Sequence, residues 1–263
     1  MMRSLILFAL FCIAFVYSAA QAQTLKKHTD KRTGIEICFS CDSNTFPAYW
    51  TGSEIAAACS SLDAEERKRS LSLITHAMNK YPAAILKGNI RKVYVLKSIA
   101  FYGLEYGGTN SSDAVYVTNN GVALGYSDTY IEKAFHHEFS SILLRNFRIQ
   151  FDTSAWQLYN GSPYGQGGVS ALKTASSDTE PDSVYWQQGF FYQYAQSDIE
   201  NDFNSFAENL FLPHPSFWEV TRKYPALQNK LHLIIAFYNR LNPVFTRDYF
   251  YTIEKEADVI SPN

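Results

Sequence analysis

The sequence predicts an α+β domain, and three observations carry that reading. Short apolar runs of strand character lie in the first half, at 35–39, 93–96 and 114–117. A long capped helix follows at about 129–146, and further helical patterns occupy the C-terminal part, at about 199–212 and 227–241. Strands first and helices afterwards describe a small sheet packed on helices.

The elements follow in chain order. Residues 1–22 have Arg3, an apolar run from Leu5 to Val16, and then Ala20-Gln21-Ala22. That order predicts a signal peptide cleaved near Ala22, and hence a secreted protein, periplasmic or extracellular. The run is too short to cross a bilayer, no other run is long enough, and Cys12 within it is not in a lipid-attachment context. Residues 23–60 read as an N-terminal lead-in with one strand at 35–39. In an oxidising compartment Cys59 is expected to pair with Cys38 or Cys41, leaving one odd thiol. The spacing Cys38-Phe39-Ser40-Cys41 precedes a loop at 42–47 rather than a helix, so it carries no redox assignment.

Residues 61–263 form the main domain. Asp63 with Glu66 predicts a capping box, Leu71, Ile74, Met78 and Tyr81 recur at helical spacing, and Pro82 ends the pattern. Val93-Tyr94-Val95-Leu96 alternates as a strand. The runs 114–117 and 122–124 flank Asn120-Gly121 and predict a hairpin. Ser127-Asp128 caps the 129–146 helix, with Ile131, Phe135, Phe139 and Ile142 on one face and His137, Ser141 and Leu144 on another. Residues 150–181, rich in Gly, Ser, Thr and Asp, read as a long surface excursion. Pro213 and Pro243 end the two later helices.

The net charge of -2 and pI near 6.3 give no electrostatic case for nucleic acid or an anionic membrane. The 18 Tyr and 19 Phe supply a core and, in an exported protein, suit a groove for peptide or sugar. The chemistry concentrates in Phe135-His136-His137-Glu138-Phe139-Ser140-Ser141. In an HExxH helix two histidines one turn apart bind zinc and the glutamate activates water. Here His137 and Glu138 fit that pattern, while Ser141 stands at the second histidine. His136 points about 100° from His137 and is no substitute. Ser170-Ala171-Leu172-Lys173 matches S-x-x-K without a later K-T-G, and the sequons at Asn110 and Asn160 mark surface loops.

This helix, followed by Gly189-Phe190-Phe191-Tyr192-Gln193-Tyr194-Ala195 and by Asp202-Phe203-Asn204-Ser205-Phe206-Ala207-Glu208, resembles the zinc-binding metallopeptidases exported by Gram-negative bacteria, zincins of the gluzincin type. The resemblance covers roughly 90–250. It implies a zincin-like fold: a small twisted sheet with an antiparallel edge hairpin, packed on an active-site helix, and a helical C-terminal half. It further implies a zinc cofactor, with His137 as first ligand, Glu138 as general base, Ser141 at a degenerate ligand position and an acidic ligand at Asp202, with Glu208 the alternative. The implied function is hydrolysis of a peptide or protein substrate by metal-activated water. The alternative is a catalytically inert module that holds peptide or glycan in the same cleft.

Overall fold

The computed structural model describes residues 25–260; the expected signal peptide, 1–22, lies outside them. Seven strands form one mixed sheet: β1 (Lys27–Thr29), β2 (Glu36–Cys38), β3 (Ala58–Ser61), β4 (Lys92–Phe101), β5 (Leu104–Glu105), β6 (Gly108–Asn110) and β7 (Ala114–Thr118). Their spatial order is β1-β2-β4-β7-β6, with β3 and β5 also paired to the long central β4. β4 runs parallel to β2 and β7, and β6 closes one edge antiparallel to β7.

Ten α-helices are described: α1 (Ala64–Asn79), α2 (Ala83–Asn89), α3 (Asp128–Asn146), α4 (Thr153–Gln157), α5 (Gly168–Lys173), α6 (Ser183–Trp186), α7 (Ile199–Phe211), α8 (Phe217–Lys223), α9 (Pro225–Leu241) and α10 (Arg247–Ile260). None of the described helices is long and apolar enough to cross a membrane.

The two-residue period of the strands divides the interior. Val93 and Val95 of β4 and Val115 and Val117 of β7 face the main core, which also holds Ile131, Phe135, Phe139 and Ile142 of α3. Tyr94, Leu96 and Tyr116 point the other way and meet Phe46, Trp50 and Phe101 in a smaller aromatic core under the 39–57 segment. The apolar stripe read from the sequence of α3 is therefore its buried face. At the N-terminus of that helix the Ser127 hydroxyl accepts from the Tyr130 N–H at 3.1 Å, and Asp128 in the first turn and Arg145 in the last suit the helix dipole.

Three local expectations are corrected. Residues 122–124 are not a strand but a 3-10 turn, with Val122 and Leu124 exposed. The hairpin partner of β7 is β6, which precedes it. The Asn-Gly signal fails because Asn119 is buried: its amide donates to Glu66 Oε2 and Ser70 Oγ, both at 3.0 Å, so it ties the chain to α1 instead of starting a two-residue turn. β6, Gly-Thr-Asn, carries no apolar alternation because an edge strand over a polar cleft needs none. The second correction concerns the capping box. Asp63 stands at the N-cap but caps nothing with its side chain, which pairs with Lys97, while Glu66 pairs with Arg69. Third, the 150–181 segment is no simple surface excursion, since it folds α4 and α5 and buries Trp156.

Of the two disulfides that the sequence allows, Cys41–Cys59 forms, and it closes 18 residues of separation next to the aromatic core. Cys38 stays a buried thiol, which desolvation pushes up to about 11. Reducing the bridge is expected to cost about 3 kcal/mol, the loop-closure value for this length. Urea melts of the oxidised chain and the Cys41→Ser/Cys59→Ser variant check this; identical midpoints would refute it.

Candidate functional site

Helices α3 and α7 pack antiparallel and bring their polar residues together in layers. Lys133 Nζ donates to Asn209 Oδ1 at 2.9 Å; one turn on, His137 Nδ1–H donates to Glu208 Oε2 at 3.0 Å; a further turn on, Asn204 Nδ2 donates to Ser141 Oγ at 2.7 Å. Ser140 also donates to Asn204 Oδ1. The other Glu208 oxygen, Oε1, accepts from the Tyr192 hydroxyl at 3.1 Å.

Both nitrogens of His137 face acceptors. Nε2 lies 3.3 Å from Asn201 Oδ1, and the orientation of that amide is fixed because its Nδ2 donates to Ser197 Oγ and Asp198 Oδ2. Burial alone would lower the His137 pKa. The Glu208 hydrogen bond and the charges of Glu138 and Glu208 outweigh it and raise the value to about 9. With Nδ1 against Glu208 and Nε2 against Asn201, both ring nitrogens of His137 are engaged within the protein.

Glu138 lies on the side of α3 that faces the sheet edge. Its Oε2 accepts from Asn110 Nδ2 at 2.8 Å, and burial raises its pKa despite that bond and the His137 charge. Edge strand and helix approach so closely that a Cβ on Gly108 would stand 2.9 Å from Glu138 Oε1, and one on Gly107 would meet the Tyr130 hydroxyl. The two glycines form one wall of a cavity of about 510 Å³ that also exposes His137, Glu138, Glu208, Tyr194 and Lys133, with the 177–181 loop opposite.

Asp202 is not in this cleft. It is fully buried on the other side of α7, paired with Lys230 Nζ at 2.7 Å and accepting from Trp156 Nε1 at 2.7 Å and Tyr164 OH at 2.6 Å. Burial raises the Asp202 pKa and lowers that of Lys230, and their mutual attraction opposes both shifts. Six residues on a helix are about 600°, or about 240° of net rotation, so Asp202 and Glu208 cannot share a face. The structure joins His137 to Glu208 and takes Asp202 away.

Zinc does not fit the residues present. Among the described residues no three His, Cys, Asp or Glu side chains converge to hold a metal. The second-histidine position, Ser141, is buried and hydrogen-bonded to Asn204. His136 turns into the core, where its Nδ1 meets the Tyr81 hydroxyl at 2.9 Å. Sequence reasoning missed Asn204, Asn201, Asn110, Tyr192 and Lys133. The findable signal was the spacing of Asn204 and Glu208, one turn apart like His137 and Ser141.

Behind the cleft, Glu132 Oε1 lies 2.5 Å from Lys80 Nζ and 3.5 Å from His136 Nε2. Burial would raise the Glu132 pKa, but His136 and Lys80 overcome it and bring it down to about 2. For His136, burial dominates and lowers its pKa to about 4. Both folded values lie below the ordinary ones. Each group therefore contributes stability above its ordinary pKa, about 6.5 for His and 4.5 for Glu, and that contribution is lost as pH falls towards 4 and then 2. Thermal melts from pH 7 to 3 should show falling Tm, with the 6.5 to 4 portion flattened in His136→Gln. An unchanged profile in that variant would count against the assignment.

The arrangement is a mixed α+β fold, a seven-stranded sheet with the His-Glu helix under its edge. The chain is similar to the crystal structure of a "putative zinc-binding metallo-peptidase" from Bacteroides caccae, with a TM-score of 0.55 and 14% identity over 84% of this chain and 85% of that one. No family model matches the sequence, and neither does any curated protein.

Proposed function

We propose that this is an exported protein of zincin type that has kept the substrate cleft of a peptidase and holds extended peptide in it without metal-dependent hydrolysis. The observation that carries the reading is the Asn204 to Ser141 hydrogen bond, 2.7 Å long, at the place where the His-Glu helix would supply its second metal ligand. With Asp202 tied to Lys230 and both His137 nitrogens engaged, the cleft lacks the three protein ligands that a zinc-activated water requires.

Peptide is the ligand class that suits the walls. β6 pairs on one side only, with β7, and the Tyr106-Gly107-Gly108 stretch leading into it borders the cavity, so an extended chain can add its backbone to that edge. Half-buried Tyr194, its ring stacked 6.4 Å from His137, gives an apolar surface opposite. Export rests on the Arg3, Leu5 to Val16 and Ala20-Gln21-Ala22 pattern.

Metal analysis and a peptide-cleavage assay on the purified mature chain test the first half. Substoichiometric zinc and no chelator-sensitive cleavage are expected; stoichiometric zinc with chelator-sensitive cleavage would overturn the reading. Fluorescence anisotropy with labelled, capped peptides tests the second. Binding is expected, and Gly108→Val, which forces β6 away from Glu138, is expected to abolish it.

A further inference from the structure

Three lysines stand on α3 or reach α3 and α7 from neighbouring elements, and two of them have carboxylate partners. Lys80 meets Glu132 at 2.5 Å and Lys230 meets Asp202 at 2.7 Å. Lys133 differs. It is half-buried, lines the cleft, and lies one turn before His137 on the same face of α3. No carboxylate of the described residues comes within ion-pairing distance of it; its one hydrogen bond goes to the neutral Asn209 amide oxygen, which also accepts the His214 N–H at 3.0 Å. An ammonium has three donors, so two are left to face the cavity. A partly desolvated cation without a counter-ion is costly, and a ligand that brings one gains what the fold leaves unsatisfied.

Charge is also distributed along the cleft. Glu138 lies under the Gly107–Gly108 edge and Glu208 beside His137, while Lys133 lies at the other end, beside His214 and the C-terminal turn of α7, where exposed Glu180 also lines the cleft without pairing with it. A peptide aligned on the edge strand would carry its backbone past Glu138 and bring one group to Lys133.

Resting on the peptide-binding reading above, we propose that Lys133 selects the ligand by its charge: the cleft takes peptides that present a carboxylate, from an Asp or Glu side chain or from the chain terminus, to the Lys133 ammonium. Neutral peptides use the same edge without that anchor. One charge-assisted hydrogen bond accounts for roughly 10- to 100-fold in affinity.

The test measures anisotropy of three N-acetylated octapeptides on the mature chain at low salt: amidated with a central Gln, amidated with a central Glu, and the Gln peptide with a free C-terminus. At least one carboxylate peptide is expected to bind roughly 10- to 100-fold more tightly than the neutral one, and which one does so names the source. Lys133→Met should abolish the difference, Lys133→Arg should keep most of it, and salt should narrow it in the natural chain. Equal Tm values for the variants exclude unfolding as the cause. If all three peptides bind alike, or the preference survives in Lys133→Met, the inference falls while the peptide reading stands. If no peptide binds at all, that reading fails and takes the inference with it.

Discussion

Ser141→His combined with Asn204→Glu is expected to turn a chain that holds zinc weakly into one that holds it tightly, by roughly 10⁴-fold in Kd. Structural zinc is worth about 10–16 kcal/mol over four ligands, so each ligand accounts for about 3 kcal/mol, and two supply about 6. The geometry favours the change. The two side chains already touch, at 2.7 Å, and position 141 lies one turn from His137 on the same face. His137 Nδ1 is already held by Glu208, the arrangement in which a carboxylate orients a metal-binding imidazole, so Nε2 can turn to the ion if it gives up Asn201. Zinc titration by calorimetry on the natural chain, the two single variants and the pair checks the result. Equal, weak binding by all four would mean that the helices have moved beyond metal geometry.

Asp202→Ala is expected to destabilise the fold by about 3–5 kcal/mol, because it strands the Lys230 ammonium in a site where both partners are fully buried. Lys230 Nζ also donates to the Gly189 carbonyl at 2.7 Å and sits 4.3 Å above the Phe190 ring, so one charge joins α7, α9 and the 189–190 turn. For a domain of this size the change corresponds to a Tm drop of about 6–20 °C. Replacing both partners, Asp202→Leu with Lys230→Met, should recover most of the loss, since a buried pair costs desolvation that apolar residues avoid. A drop under about 1 kcal/mol in Asp202→Ala, measured by urea unfolding, would refute the clamp.

Much of α3 and α7 was legible from local signals. The Ser127 cap, the spacing Ile131, Phe135, Phe139 and Ile142, and the stop before Pro213 each depend on neighbours within a turn or two. The face that each residue of α7 presents was not. Choosing between Asp202 and Glu208 required knowing that Lys230, on the helix predicted at about 227–241 and found at Pro225–Leu241, lies behind Asp202. Similarly, the Asn120-Gly121 turn was outvoted by Asn119, whose partners Glu66 and Ser70 are some fifty residues away. Local propensity identifies the helices, but tertiary partners decide which polar residues are structural and which line the cleft.

The layered contacts between α3 and α7 also fix how the two helices may slide. Two greasy helices alone would tolerate displacement by one turn, because one apolar side chain replaces another in the groove. Here a one-turn slip would carry Glu208 from His137 to the neighbourhood of Ser141 and put Leu212 against the imidazole, leaving the buried carboxylate and the ring each without its partner. Asn204 would move to the level of Arg145 and lose both serines. The polar ladder thus acts as a vernier: it stabilises one alignment of the helices modestly and penalises the adjacent ones heavily, so the cleft keeps a single width.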